Sequence, residues 1–152
     1  MSKLKPLGFI WALPYSVLAW LGILLLLLFK QADKISASKD LMFLCKIKGD
    51  SYVGSKWFWD RGFIGFTLGN GIFFVESQDT NTTIKHETRH GFQYFVLGIL
   101  FWPVYVLINV FIYLFRKDLH PYYDHPLEID ARKYAGQAVK IDWDKKDRWS
   151  WW

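Results

Sequence analysis

HETRHGFQYFVLGILFWPVYVLINVFIYLF, residues 86–115, sets the architecture of this chain. It opens with His86-Glu87-Thr88-Arg89-His90 and runs directly into an apolar block, Phe92–Phe115. On a helix, positions i and i+4 lie about 40° apart around the axis, so His86 and His90 face the same way. Two imidazoles so placed can grip one Zn²⁺, which lowers the pKa of a water that it holds. Glu87 comes directly after the first histidine and is placed to take that water's proton and hand it to a leaving group. A catalytic zinc wants a third protein ligand. The candidates are Glu128 first, then Asp130 and His125, with His120 a fourth. All four histidines of the chain fall within residues 86–125.

The motif constrains the topology of the apolar block behind it. If His86, His90 and Glu128 share one ion, they lie on the same side of any bilayer. A straight helix over Phe92–Phe115 would run roughly 36 Å and carry Glu128 to the opposite face. A helical hairpin is therefore expected: an active-site helix to about Phe101, a turn near Trp102-Pro103, and a return helix to about Phe115. Pro103 lacks a backbone donor and clashes with the preceding turn, which makes it the expected break, with Gly98 close by.

Toward the N-terminus, Leu7–Phe29 is a second apolar block without a charge, bounded by Lys3, Lys5 and Lys30. As a helix it would span roughly 35 Å, enough for a bilayer core, with Pro14 kinking its first half. It reads as an uncleaved anchor; Ser36-Ala37-Ser38 offers only a loose signal-peptide cleavage site. The polar residues 31–40 read as a linker. Residues 41–75 read as strands, LMFLCKIK and then WFWDRGFIGFTLGNGIFFV, with a hairpin at Gly69-Asn70-Gly71. Asp79, Thr80, Asn81 and Thr82 are good N-caps for the helix that carries the histidines. A further helix is expected from about Leu127. The tail WDKKDRWSWW, with four tryptophans, suits a bilayer interface or packing on the domain. The expected organisation is an anchor over 1–30, a linker over 31–40 and one domain over 41–152. Cys45, the only cysteine, sits in an apolar run and reads as a buried thiol.

Composition points to lipid. Aromatic residues make up 20% of the chain, including nine Trp, the residue type that gathers at membrane interfaces. The net charge of +5 is scattered rather than gathered in a patch, and no nucleic-acid motif is present, so anionic headgroups are the expected counter-charge. Lys and Arg do not distinguish the two sides of the bilayer.

The residues from about Thr67 to Gly136 resemble the HExxH zincins of the gluzincin type. They are most similar to small bacterial and phage-encoded membrane-associated proteins with an H-E-x-x-H-x-x-Q and a P-x-E-x-x-A pattern. The matching residues are Thr67-Leu68-Gly69, His86 to Gln93, Gly98, Phe101, Tyr105, and His125-Pro126-Leu127-Glu128-Ile129-Asp130-Ala131. The resemblance implies His86 and His90 as ligands, Glu87 as general base and Glu128 as third ligand. His125 stands where an Asn is usual. Gln93 lies on nearly the same helix face as His86, placed to orient a ligand or Asp130. Tyr122 and Tyr123 are the candidates for a phenol that steadies an oxyanion.

The expected fold is α+β: a minimal zincin-like domain, with a small antiparallel sheet, an active-site helix and a helical hairpin, behind an N-terminal transmembrane helix. The expected function is a membrane-anchored zinc metallopeptidase-like hydrolase with one Zn²⁺ per chain, acting on a peptide or protein. Two other readings fit the sequence: a non-enzymatic membrane protein (a holin-like pore, an assembly or envelope component), and a zincin fold whose metal is purely structural.

Overall fold

The computed structural model describes residues 5–77 and 80–142. The Trp-rich tail and the Asp79 cap lie outside the described residues. Among the described residues, five α-helices and four strands run in the order α1 (Lys5–Trp11), α2 (Leu13–Leu28), β1 (Ala32–Ala37), β2 (Phe43–Ile47), β3 (Gly65–Leu68), β4 (Gly71–Val75), α3 (Thr80–Leu97), α4 (Phe101–Phe115) and α5 (Pro126–Ala135).

The expected β-hairpin at Gly69-Asn70-Gly71 forms. β3 and β4 pair antiparallel with Leu68 opposite Gly71, which leaves Gly69-Asn70 as a two-residue loop. Gly69 has φ +57. A positive φ at the first loop position matches the twist of the flanking strands and favours glycine. Asn70 locks the loop in place. Its amide donates to the Leu41 carbonyl, its side-chain oxygen accepts from Trp20 Nε1 at 3.0 Å, and its backbone N–H donates to Ser16 Oγ.

The sheet is mixed, with strand order β1-β2-β4-β3, and not antiparallel throughout as expected. β2 and β4 run parallel, Phe43 opposite Gly71 through Ile47 opposite Val75. A parallel pair needs a long connection; residues 48–64 supply it before β3 leads back through the hairpin. Part of that stretch was expected as strand. It forms instead a π-turn at Gly54–Phe58 and a 3₁₀ turn at Trp59–Arg61. All five residues of β4 are buried, because helices cover both faces of this central strand.

Two cores arise from the alternation along the strands. On one face Cys45, Ile47, Phe73 and Val75 pack with Ala19 and Ile23 of α2. On the other, Ile72 and Phe74 pack with Tyr94, Phe95 and Phe101, beside Met42. The N-terminal block thus lies on the sheet through Ser16, Ala19 and Ile23, while Leu18, Leu21, Leu24 and Leu25 remain exposed. It divides at Ala12 between α1 and α2, next to Pro14 in the first turn of α2. Residues 31–40, expected as a linker, contain β1. This strand joins the sheet at its edge by backbone pairing and exposes every side chain after Ala32, so it carries no hydrophobic alternation.

The long apolar block also breaks earlier than expected. α3 ends at Leu97, a 3₁₀ turn covers Gly98–Leu100, and α4 begins at Phe101. Gly98 has φ +56, and a Cβ there would run into the Trp11 indole. Pro103 does not break anything. It is the third residue of α4, where a helix has no internal partner for the N–H in any case. The helical run Thr80–Phe115 is long and apolar enough, by length and composition, to cross a membrane; α2 is apolar but shorter.

Candidate metal centre

His86, Glu87 and His90 project from α3, and Glu128 comes from α5. The sequence builds α5 with standard helix ends. His125 caps it by accepting from the Leu127 N–H, Pro126 occupies the first turn, and Gly136 closes it at φ +75. α5 packs along α3 and brings Glu128 onto the histidine face. His86 Nε2 and His90 Nε2 lie 3.0 Å apart. Glu128 is 3.3 Å from the first, through Oε2, and 3.4 Å from the second, through Oε1. Three atoms held about 2.0–2.1 Å from one ion at tetrahedral angles are about 3.3–3.4 Å apart. The three side chains could hold a metal ion with little movement.

The other ring nitrogens say why a cation belongs here. His90 Nδ1 contacts Gln93 Oε1 at 2.9 Å, and His86 Nδ1 contacts Gln137 Oε1 at 2.8 Å. The Gln93 amide is oriented by its nitrogen, which donates to the Leu127 carbonyl and to Asp130 Oδ2. An amide oxygen can only accept, so each Nδ1 carries a proton, and in its neutral form each ring then presents a lone pair at Nε2. Two lone pairs and a carboxylate therefore converge in a buried space. Glu128 Oε2 is buried without a hydrogen-bond partner. Such a cluster repels itself unless a positive charge sits within it, and a divalent ion satisfies all three groups together. Without an ion, a proton on the imidazole pair can supply that charge. Burial alone would raise the Glu128 carboxyl, yet hydrogen bonds and positive charge from the His86 and His90 side then hold it well below the usual carboxylate range.

Glu87 is buried beside this cluster, under the edge strand β3. Thr67 Oγ1 lies 2.7 Å from Glu87 Oε2 and fixes the carboxylate. A Cβ on Gly65 would come within 2.8 Å of Glu87 Cγ and Oε1, so this glycine lets the strand lie close over the acid. His86 and Glu87 both line a cleft of about 360 Å³, together with Tyr122, Tyr123, Arg132 and Gln137. Burial pushes the Tyr122 phenol up, which keeps it a hydrogen-bond donor.

The remaining candidates are engaged elsewhere. Asp130 takes Arg89 at 2.7 and 2.9 Å, as well as Gln93, and its carboxyl is lowered by Arg89. Gln93 thus contacts both the His90 ring and the Asp130 carboxylate. His125 uses Nδ1 as the α5 cap and Nε2 on the Tyr105 carbonyl, and burial lowers its pKa. His120 is buried and accepts from the Tyr122 and Tyr123 N–H groups, stitching the turn before α5.

Sequence reasoning assigned no role to Tyr105, whose hydroxyl donates to Glu128 Oε1 at 2.9 Å. Its place among the residues that match the gluzincin-like pattern was the available signal. Thr67 and Gln137 were missed because nothing local marks them as partners of residues 20 and 51 positions away. A scan against protein-family models found no match to this chain, and searches of curated proteins and of solved structures found none either.

Proposed function

We propose that this protein is a membrane-associated zinc metallohydrolase of the metallopeptidase type, with a zincin-like arrangement of edge strand, HExxH helix and third-ligand helix. The observation that carries the reading is the convergence of two lone-pair nitrogens and one carboxylate, next to a buried Glu87 that faces a cleft. His86, His90 and Glu128 would hold the ion, which would polarise a water and a substrate carbonyl. Glu87, steadied by Thr67, accepts a proton at Oε2 or Oε1 and returns it to the leaving group. Tyr122 offers a phenol to the cleft as an oxyanion donor. A purely structural metal wants a fourth protein ligand; His120, His125 and Asp130 are committed elsewhere, which favours an open coordination position. Lipid association is supported by the exposed apolar residues of α2 and by Val106, Leu107, Val110 and Phe111 of α4.

The test is elemental analysis of the full chain purified in detergent or nanodiscs, combined with hydrolysis of a quenched-fluorescent peptide library. Expected are one zinc per chain, loss of metal in His86→Ala, and retained metal with activity reduced by roughly two or more orders of magnitude in Glu87→Gln. A folded protein that takes up no metal, or a Glu87→Gln variant with full activity, refutes the proposal.

A further inference from the structure

The cleft beside the candidate metal centre contains a cation without a counter-charge among the described residues. Arg132 is only 5% exposed. One of its Nη atoms donates to the Tyr123 carbonyl, and its Nε is buried with no partner. The Lys and Arg ion pairs among the described residues engage Lys46, Lys56, Arg89 and Arg116, and none engages Arg132. A buried guanidinium in that condition is costly until an anion reaches it.

Position gives the anion a place in the reaction. Glu128 and Arg132 are four residues apart on α5, both buried, so they lie on one face of the helix roughly 6 Å apart. Arg132 lines the same cleft as His86 and Glu87, with its Nε buried behind the lining. Nε and the adjacent Nη form the planar fork that matches two carboxylate oxygens. A lone guanidinium balances one negative charge, and the cleft lining holds no lysine and no second arginine. That suits a carboxylate better than a doubly charged phosphate.

Resting on the metallohydrolase reading above, we infer that Arg132 is a specificity subsite for a substrate carboxylate carried within about one residue of the bond being cut. A peptide's C-terminal carboxylate and an acidic side chain beside the scissile bond both meet this description.

Two compounds test the inference on the zinc-loaded full chain in nanodiscs: succinic acid monohydroxamate and its neutral succinamide analogue. Both offer the metal the same chelating group, and only one carries a carboxylate. Calorimetric titration should show wild type favouring the charged compound by at least about tenfold, Arg132→Gln binding the two alike, and Arg132→Lys falling between. Equal affinities in wild type, or a preference that persists in Arg132→Gln, overturns the inference. A metal-free arm separates its failure from that of the metal reading: succinate alone should raise the Tm of wild-type protein and leave that of Arg132→Gln unmoved. If succinate stabilises neither or both, Arg132 is not a carboxylate subsite. Quenched peptides with free or amidated C-termini, and with Glu or Gln beside the scissile bond, then distinguish the two sources of the carboxylate.

Discussion

Gly98→Ala tests whether the bend between α3 and α4 builds the metal centre. The bend places Gly98 at φ +56. An alanine in that left-handed conformation costs about 1–2 kcal/mol. The same alanine in a continuous helix is favoured over glycine by about 1 kcal/mol. The substitution therefore tilts the balance from the bent arrangement toward a straight run by about 2–3 kcal/mol, roughly 30- to 150-fold. The Trp11 indole adds to this, because the new Cβ would meet Cδ1 and the ring must swing away. Straightening removes Phe101 from its stack on Tyr94 and Tyr105 from Glu128. Zinc affinity measured against a chromophoric chelator should fall, while far-UV circular dichroism keeps its helical signal. Ile99→Ala is the control, since its side chain is exposed in the same turn and it does not need a positive φ. An unchanged zinc Kd together with an unchanged Tm for Gly98→Ala would refute the claim that the bend supports the metal centre through Phe101 and Tyr105.

Tyr105→Phe removes the donor to Glu128 Oε1 and should weaken zinc binding by about 10- to 100-fold, the usual effect of losing a group that orients a metal ligand. The readout is the same chelator competition, and full affinity would mean that the phenol is incidental. Gln93→Ala frees the His90 ring and the Asp130 carboxylate together, so it should lower both metal affinity and Tm. A change in only one of them would show that the two roles are separable. Burial pushes the Cys45 thiol up to about 11. It should resist alkylation at pH 8 until the protein is unfolded, and the fold should lose stability as the pH climbs from about 9 toward 11, where a folded thiol that resists ionising falls behind an unfolded one. Rapid labelling of the native protein would show that β2 opens readily.

Whatever depends on neighbours along the chain was legible before any coordinates. The i, i+4 spacing put His86 and His90 on one face, and the Gly69-Asn70 loop set the hairpin. The Gly98 and Pro103 positions also pointed to an interruption in the apolar block after the motif. Packing settled the rest. The break between the two helices falls at Gly98 and not at Pro103, because a positive φ under the Trp11 ring needs glycine, whereas a proline in a first helical turn costs nothing. β1 could not be read, since an edge strand is held by backbone pairing that leaves no pattern in its side chains. The choice of Glu128 over Asp130 belongs to the tertiary structure as well. Both acids sit on α5, but Arg89 and Gln93 reach only one of them, and that leaves the other to face the histidines.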